Sequence, residues 1–233
     1  MHLRETRWRQ LLKLGHSQRP LPRMYHKYYL TQTWTDQLPT IAQDLRRMPS
    51  MNYDNVVKLI KRHAATNPWH PYTQGHLYLI YAIGLVFKDE ASLFWSYKTI
   101  CSTLYQYGPD TRQNAIIVPD WVFDSVSNIK LDRTMWDNLV RFRWLYILFG
   151  QTFVTPETLC AAWDFVLLDR HRMMCMCAAL LEYSAQHTCV QSSVCELERA
   201  SRLISIQVDS TESAATVLAL AQKVQQKRRW RGK

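Results

Sequence analysis

The sequence contains very little glycine. Only 6 of its 233 residues are glycine, and it has neither a Gly-x-Gly-x-x-Gly run nor a Gly-x-x-x-x-Gly-Lys run. Runs of these kinds form loops whose backbone amides cradle the phosphates of a dinucleotide or a nucleoside triphosphate. Their absence excludes a phosphate loop as the means by which this chain holds a nucleotide.

Long hydrophobic segments are missing as well. The longest uninterrupted apolar stretch, Leu77 to Phe87, is shorter than the roughly 20 residues that a membrane-spanning helix needs. Residues Met1 to Arg4 lack the basic-then-apolar pattern of a secretory signal. We therefore expect a cytoplasmic protein whose membrane contact, if it has one, is peripheral and on endomembranes.

Cysteine is sparse and irregularly spaced. The six cysteines are Cys101, Cys160, Cys175, Cys177, Cys189 and Cys195. In a chain of this length they fit reduced thiols in a core better than a disulfide framework. Cys175 and Cys177 suggest zinc at first sight, together with His171, His187, Cys189 and Cys195. Residues two apart on a helix, however, point to nearly opposite sides. We expect no metal site.

Basic residues exceed acidic ones. The chain has 29 Lys and Arg against 19 Asp and Glu, a formal net charge of +10. This favours acidic partners such as phosphates, anionic lipid or an acidic protein face, without choosing among them. The basic run Lys227 to Lys233 fits a solvated tail, a membrane contact or a nucleic-acid contact. Nucleic-acid binding is supported only by the net charge and by this basic tail. We therefore expect no specific nucleic-acid partner.

Apolar residues recur at three- and four-residue spacing through most of the chain, and alternation of apolar and polar residues is scarce. This pattern predicts an all-α fold. The predicted helices are Glu5–Leu14, Thr35–Arg47, Tyr53–Thr66, Thr73–Phe87, Glu90–Tyr107, Asp132–Phe149, Pro156–Leu167, Arg170–Ser184, Cys195–Ile204 and Glu212–Lys227. The proline-broken segment Gly15–Trp34 and the polar segment Pro109–Pro119 are predicted to be connections. Tryptophans within the apolar stripes, namely Trp95, Trp144 and Trp163, are expected to pack in the core.

Two polar segments stand out against this helical background. Ile41 to Arg47 ends just before Met48-Pro49, and the residue before a proline disfavours helical geometry, so Arg47 is predicted to lie at a helix end. Asn67 to Gly75 is a proline-bracketed loop that places Gln74 at the start of a strongly apolar helix. A cationic side chain and an amide side chain are thus each placed where an element begins or ends.

Together with a segment near the start of the chain, these segments have the order and spacing of three signature motifs of one family. The matching residues are Arg4 and Trp8, then Ile41, Asp44 and Arg47, then Tyr72, Gln74 and Gly75. Further similarities are Asn67-Pro68, Asp89-Glu90-Ala91, Phe94-Trp95, Phe142 to Leu145, Leu148-Phe149 and Trp163-Asp164. From about Leu3 to about Leu181, the chain resembles the TBC domain, the GTPase-activating domain that acts on Rab GTPases. The resemblance implies a TBC-type multi-helix domain over residues 1–210, followed by a C-terminal helix with a basic tail over residues 211–233.

The resemblance also implies a mechanism. The chain would bind a Rab-family small GTPase in its GTP form and accelerate GTP hydrolysis in vesicle trafficking. Arg47 would be an arginine finger that neutralises charge on the transferred phosphoryl group, and Gln74 would position the attacking water. GTP and magnesium would belong to the partner, so no cofactor of its own is implied. The chain would act on the active site of its partner rather than on a substrate of its own.

The other motif residues are assigned supporting roles by the same resemblance. Asp44, one helical turn before Arg47, is expected to brace Arg47 through a charge-assisted hydrogen bond. Tyr72 and Gly75 belong to the loop that aims Gln74. Arg4 and Trp8 are expected to be architectural.

The alternatives remain open at this stage. By itself Arg47 also fits a solvated arginine at a helix C-terminus, its neighbour Arg46 is a second candidate finger, and Asp44 also fits a surface ion pair. Met48-Pro49-Ser50 follows Arg47 where the family usually has a Thr-Phe-Pro-like segment, and the spacing from Arg47 to Gln74 is shorter than usual. These departures motivate a second hypothesis, a catalytically weak or inactive domain that binds a GTPase or acts as a scaffold.

Overall fold

The computed structural model describes residues 2–14, 32–48, 53–66, 72, 75–105, 116–167, 169–188 and 195–231. Within these residues the fold is all-α, as predicted. The α-helices are α1 (His2–Leu11), α2 (Gln32–Arg46), α3 (Tyr53–Thr66), α4 (His76–Val86), α5 (Glu90–Tyr105), α6 (Arg133–Val140), α7 (Pro156–Val166), α8 (Arg170–His187), α9 (Glu196–Ile204) and α10 (Thr211–Arg231). A 3₁₀ helix covers Asp120–Val126, and a π-helical turn covers Arg141–Leu145. Between Phe153 and Val208 there is an isolated parallel β-bridge.

The chain divides into two compact units, Met1–Ala115 and Ile116–Lys233. The first unit contains α1 to α5, and the second contains the 3₁₀ helix and α6 to α10. The helix α10, which the sequence analysis separates from residues 1–210, lies in the second unit. Whether residues 1–210 form a TBC-type domain stays a prediction.

Helix starts follow the capping residues in the sequence. Asp89 accepts a hydrogen bond from the Ser92 amide at 2.7 Å at the start of α5. Thr155 and Thr158 form a capping box before α7, whose first residue is Pro156. Proline has no N–H, so the first turn of a helix is the position where it costs least. Both starts agree with the sequence prediction.

The predicted helix over 132–149 is divided in the structure. α6 ends at Val140, and the following π-helical turn leads into Leu148 and Phe149, which have positive φ angles of 44° and 62°. Trp144 and Phe149 are both fully buried. A straight α-helix spreads such positions around its axis, so we attribute the break to the tertiary burial of these side chains. Two further elements differ from the sequence prediction. Helix α2 begins at Gln32, inside the segment predicted to be a connection, and the 3₁₀ helix was not predicted.

In the first unit, α4 is central. Seven of its side chains are buried, and it packs on α5, which also packs on α3. Its C-terminal neighbour Phe87 lies against the ring of Trp8 on α1, with the ring centroids 6.4 Å apart. The N-terminal end of α4 is the end that carries Gly75.

In the second unit, α8 packs against α10, the 3₁₀ helix, α9 and α7. Its buried side chains are mainly methionine, cysteine, alanine and leucine. Trp163 on α7 is fully buried and donates its indole N–H to the carbonyl of Leu148 at 2.9 Å. The expected packing in the core is confirmed for Trp144 and Trp163. It is wrong for Trp95 on α5 of the first unit, which is only half-buried, because consecutive helix positions point in different directions and the preceding residue, Phe94, takes the buried one.

Candidate functional site

The C-terminal end of α2 combines a buried face with an exposed basic end. Ile41, Asp44 and Leu45 are buried, whereas Arg46 and Arg47 are exposed. Positions three and four apart lie on one face of a helix, so the motif spacing itself places Asp44 on the side of the core. Helix α2 ends at Arg46, and the amides of Arg47 and Met48 close the end with bonds to carbonyls three residues earlier. The predicted position of Arg47 at a helix end is confirmed.

Asp44 is a buried carboxylate with partners far along the chain. Its Oδ2 atom accepts a hydrogen bond from the Tyr72 hydroxyl at 2.6 Å and another from the Gly75 amide at 3.2 Å. A buried carboxylate needs such donors because leaving it unpaired costs several kcal/mol. One side chain of the second motif therefore holds two residues of the third motif.

The other carboxylate oxygen of Asp44 faces Arg47. The distance from Arg47 Nη1 to Asp44 Oδ1 is 3.5 Å, while the Arg47 side chain remains 52% exposed. The predicted (i, i+3) pairing is present as a long ion pair. A guanidinium has five N–H donors in a planar fork, and the contact with Asp44 is made through Nη1.

Gly75 adopts a conformation that few other residues tolerate. Its φ is 91° and its ψ is −10°, and it is the residue that caps the N-terminus of α4. Glycine enters this left-handed region without the steric cost of a Cβ atom. Its amide reaches Asp44 from that conformation. Gln74, the predicted second finger, lies outside the described residues.

Tyr72 is held in its protonated, donating form. Burial raises the pKa of the Tyr72 hydroxyl well above its ordinary range, and its hydrogen bond to Asp44 raises it further. Ionisation would place a phenolate against a carboxylate in a buried site. The hydroxyl therefore continues to donate to Asp44 across the whole physiological pH range.

Behind Tyr72 lies a group of buried aromatic and imidazole rings. The Tyr72 ring meets the His76 ring edge-on, with centroids 5.7 Å apart. His76 Nδ1 and the Tyr97 hydroxyl form a hydrogen bond at 2.7 Å. The Tyr97 ring in turn lies 4.8 Å from that of His63. His63, His76 and Tyr97 are all fully buried.

The first motif lies at the opposite end of α4 from Gly75. Trp8 is fully buried against Phe87, and Arg4 is half-buried on α1. Between α1 and the start of α5, the guanidinium of Arg9 bonds Glu5 and Ser92 at 2.9 and 2.8 Å. The burial of Trp8 is what a role in the architecture requires.

Sequence reasoning did not find the contacts of Asp44 with Tyr72 and Gly75, or the His76–Tyr97 pair. The available signal for the second was His76 itself, a polar side chain at the start of an otherwise apolar helix. A buried histidine requires a hydrogen-bond partner. Nothing local in the sequence identified that partner as Tyr97.

The described part of the chain offers no other kind of site that the sequence suggested. Among the described residues, no group of three or more His, Cys, Asp or Glu side chains could hold a metal ion. No helix among them is both long enough and apolar enough to cross a membrane.

Cys175 and Cys177 are buried on α8, and burial raises the pKa of the Cys175 thiol to about 11.

Comparison with known proteins adds no further assignment. Neither a protein-family model nor a curated protein matches the chain. The motifs and the geometry around Asp44 are therefore the features that bear on the function of this chain.

Proposed function

We propose that this chain is a TBC-type GTPase-activating protein that accelerates GTP hydrolysis by a Rab-family small GTPase. The observation that carries the proposal is the double role of Asp44. It pairs with Arg47 at 3.5 Å and binds Tyr72 and Gly75, the described residues on either side of Gln74, at 2.6 and 3.2 Å. A buried carboxylate thus joins the segment of one proposed finger to the segment of the other.

Two proposed fingers that act on one phosphate must be presented together. A catalytic group contributes only when it is held close to the productive geometry. The guanidinium of Arg47 is half-exposed at the end of α2, where a bound partner can reach it. It would neutralise charge that develops on the transferred phosphoryl group, an effect worth roughly a thousandfold or more in related phosphoryl transfer.

The roles of the two side chains differ chemically. A planar guanidinium bridges two oxygens, which the point charge of lysine cannot do. A glutamine amide both accepts and donates hydrogen bonds without titrating, so Gln74 would hold the attacking water. The nucleotide and magnesium are supplied by the GTPase in this mechanism.

The test is single-turnover GTP hydrolysis by a panel of purified Rab GTPases, measured as phosphate release. We expect the wild-type chain to accelerate at least one member. Arg47→Ala, Arg47→Lys and Gln74→Ala should each reduce the acceleration by roughly a thousandfold. Arg46→Ala distinguishes the two neighbouring arginines, and Arg143→Ala removes an exposed arginine of the second unit as a matched control.

Three outcomes can be told apart. Loss with Arg47 and Gln74 variants, and retention with Arg46→Ala, supports the proposal. Loss with Arg46→Ala alone moves the finger by one residue. If no GTPase is accelerated but one binds in its GTP form, the chain is a scaffold or effector and the proposed function is wrong.

A further inference from the structure

A second layer of buried side chains lies next to the groups that bind Asp44. The resemblance explains Asp44, Tyr72 and Gly75, but the family commonly has a Met-Asn-like pair where this chain has His76-Leu77. His76 is fully buried and shares a 2.7 Å hydrogen bond with Tyr97 on α5. This polar pair is therefore a feature of this chain that the motif match does not account for.

The position of His76 makes it a direct neighbour of the site. It is the first residue of α4 and is peptide-bonded to Gly75, whose amide donates to Asp44. Its ring also touches the ring of Tyr72, the other donor to Asp44. A shift of the His76 ring would consequently disturb both groups that bind the Asp44 carboxylate.

We propose that His76 and Tyr97 are positioning residues, whose hydrogen bond holds Gly75 and Tyr72 against Asp44. The proposal rests on the proposed function for its catalytic consequence, because Gly75 is bonded to Gln74. Tyr97 is carried by α5, and His63 from α3 lies against its ring. The pair thereby links the first turn of α4 to two other helices of the unit.

The first test measures the Gly75 amide itself and needs no GTPase. Gln-Gly and Ile-Gly each occur once in the sequence, at Gly75 and Gly84. Labelling glycine with ¹⁵N and the preceding residue type with ¹³C at the carbonyl therefore isolates each amide in a spectrum. Hydrogen exchange at Gly75 reports opening of its bond to Asp44, and exchange at Gly84 reports opening of α4 as a whole.

We expect Tyr97→Phe to raise the exchange rate of Gly75 by about tenfold and to leave Gly84 unchanged. Tyr183→Phe is the matched control, because Tyr183 is also buried and lies on a histidine ring, that of His187, in the second unit. An unchanged Gly75 rate in Tyr97→Phe, or equal rises at Gly75 and Gly84, would overturn the proposal.

The second test uses two near-isosteric replacements of His76. The δ atoms of asparagine, like Nδ1 of histidine, are bonded to Cγ and can hydrogen-bond, whereas those of leucine are methyl groups. On a GTPase that the wild type accelerates, His76→Leu should lower the maximal rate about tenfold without changing KM. The separate variant His76→Asn should keep most of the wild-type maximal rate. Equal losses in the two variants, or better retention with leucine, indicate packing and overturn the proposal.

The two tests separate this inference from the proposed function. If the wild type accelerates no GTPase, the proposed function fails, and Gly75 exchange still decides whether His76 and Tyr97 hold the segment on Asp44. If acceleration is present and Gly75 exchange is unaffected by Tyr97→Phe, the proposed function stands and the positioning role is wrong.

Discussion

The two compact units differ in what their cores bury. Among the described residues, the buried polar side chains of the first unit are Asp44, His63, His76, Ser92 and Ser96, and those of the second are Thr152, Thr158 and Ser184. The hydroxyls of Thr158 and Ser184 each donate to a backbone carbonyl, that of Thr155 three residues away and that of Leu203 19 residues away. Asp44 instead joins segments about thirty residues apart.

This difference concerns the free-energy cost of what each core buries. Burying ionisable groups is costly unless each is paired, and apolar side chains of similar volume would stabilise a core at least as well. The core of the second unit is mainly of this apolar kind, since its central helix α8 buries methionine, cysteine and leucine. The first unit instead buries the ionisable side chain of Asp44, at the point where two of the three motifs meet. Of the buried polar side chains in the first unit, Asp44 and His76 lie at the candidate site, whereas Ser92 bonds Arg9 at the start of α5.

The largest expected effect comes from removing the carboxylate at the centre of that contrast. Asp44→Ala leaves the Tyr72 hydroxyl and the Gly75 amide buried without their acceptor, so we expect a loss of about 3 kcal/mol in the free energy of unfolding. Asp44→Asn keeps an acceptor oxygen and should lose about half as much. Urea denaturation followed by circular dichroism measures both.

The matched control is an aspartate of the second unit. Asp124 is largely exposed and pairs with Arg228 at 2.6 Å, and exposed pairs contribute less than about 1 kcal/mol. If Asp44→Ala destabilises the protein no more than Asp124→Ala, the carboxylate does not hold the first unit together in the way described.

The second prediction concerns alkaline pH. The pKa of Tyr72 is raised in the folded chain, while that of an unfolded tyrosine is about 10. Above pH 10 the unfolded state therefore binds fewer protons than the folded state, and stability falls as the pH rises. Tyr72→Phe removes this dependence, so between pH 10 and 11 its unfolding free energy should fall less steeply, by up to about 1.4 kcal/mol per pH unit.

Thermal denaturation of the wild type and Tyr72→Phe at matched pH values gives the two slopes. Burial also raises the pKa values of the thiols of Cys175 and Cys177 on α8, but both cysteines are present in the two proteins, so their contribution cancels in the difference. Parallel slopes would mean that Tyr72 ionises in the folded state as it does in the unfolded state, contrary to its burial against Asp44.

The elements that could be predicted from the sequence are those set by local rules. Helical periodicity and caps such as Asp89 and Thr155 act within a few residues, and these helices begin as predicted. The end of α2 followed from Pro49 in the same way. The break after Val140 was not predictable from local rules, because it accompanies the full burial of Trp144 and Phe149, which tertiary packing decides.

In the candidate site, too, local contacts could be predicted from the sequence and long-range contacts could not. The spacing of Asp44 and Arg47 predicted their pairing, since both belong to one helical end. The partners of Asp44 lie 28 and 31 residues further along the chain, beyond any local rule, and the motif resemblance indicated only that those segments act together. The His76–Tyr97 pair required the packing of α4 on α5.

The smallest expected effect tests a backbone difference between the units. Lys13 is exposed at the end of α1 with φ of 53°, and the amides of Lys13 and Leu14 donate to Gln10 and Arg9, as in a Schellman motif. A non-glycine residue pays a steric cost in this conformation, which exceeds the unfolded-state entropy that glycine adds. Lys13→Gly should therefore raise the free energy of unfolding by about 0.5 kcal/mol.

Lys13→Ala is the control, because it removes the same charge and keeps the Cβ atom, and it should give no gain in urea denaturation. Phe149 in the second unit also has a positive φ, 62°, but its ring is fully buried. There the loss of apolar contacts outweighs the relief of backbone strain, so Phe149→Gly should destabilise the protein. Opposite signs at Lys13 and Phe149 would show that burial, rather than the backbone angle, decides the outcome. A gain with Lys13→Ala equal to that with Lys13→Gly would instead assign the effect at Lys13 to charge.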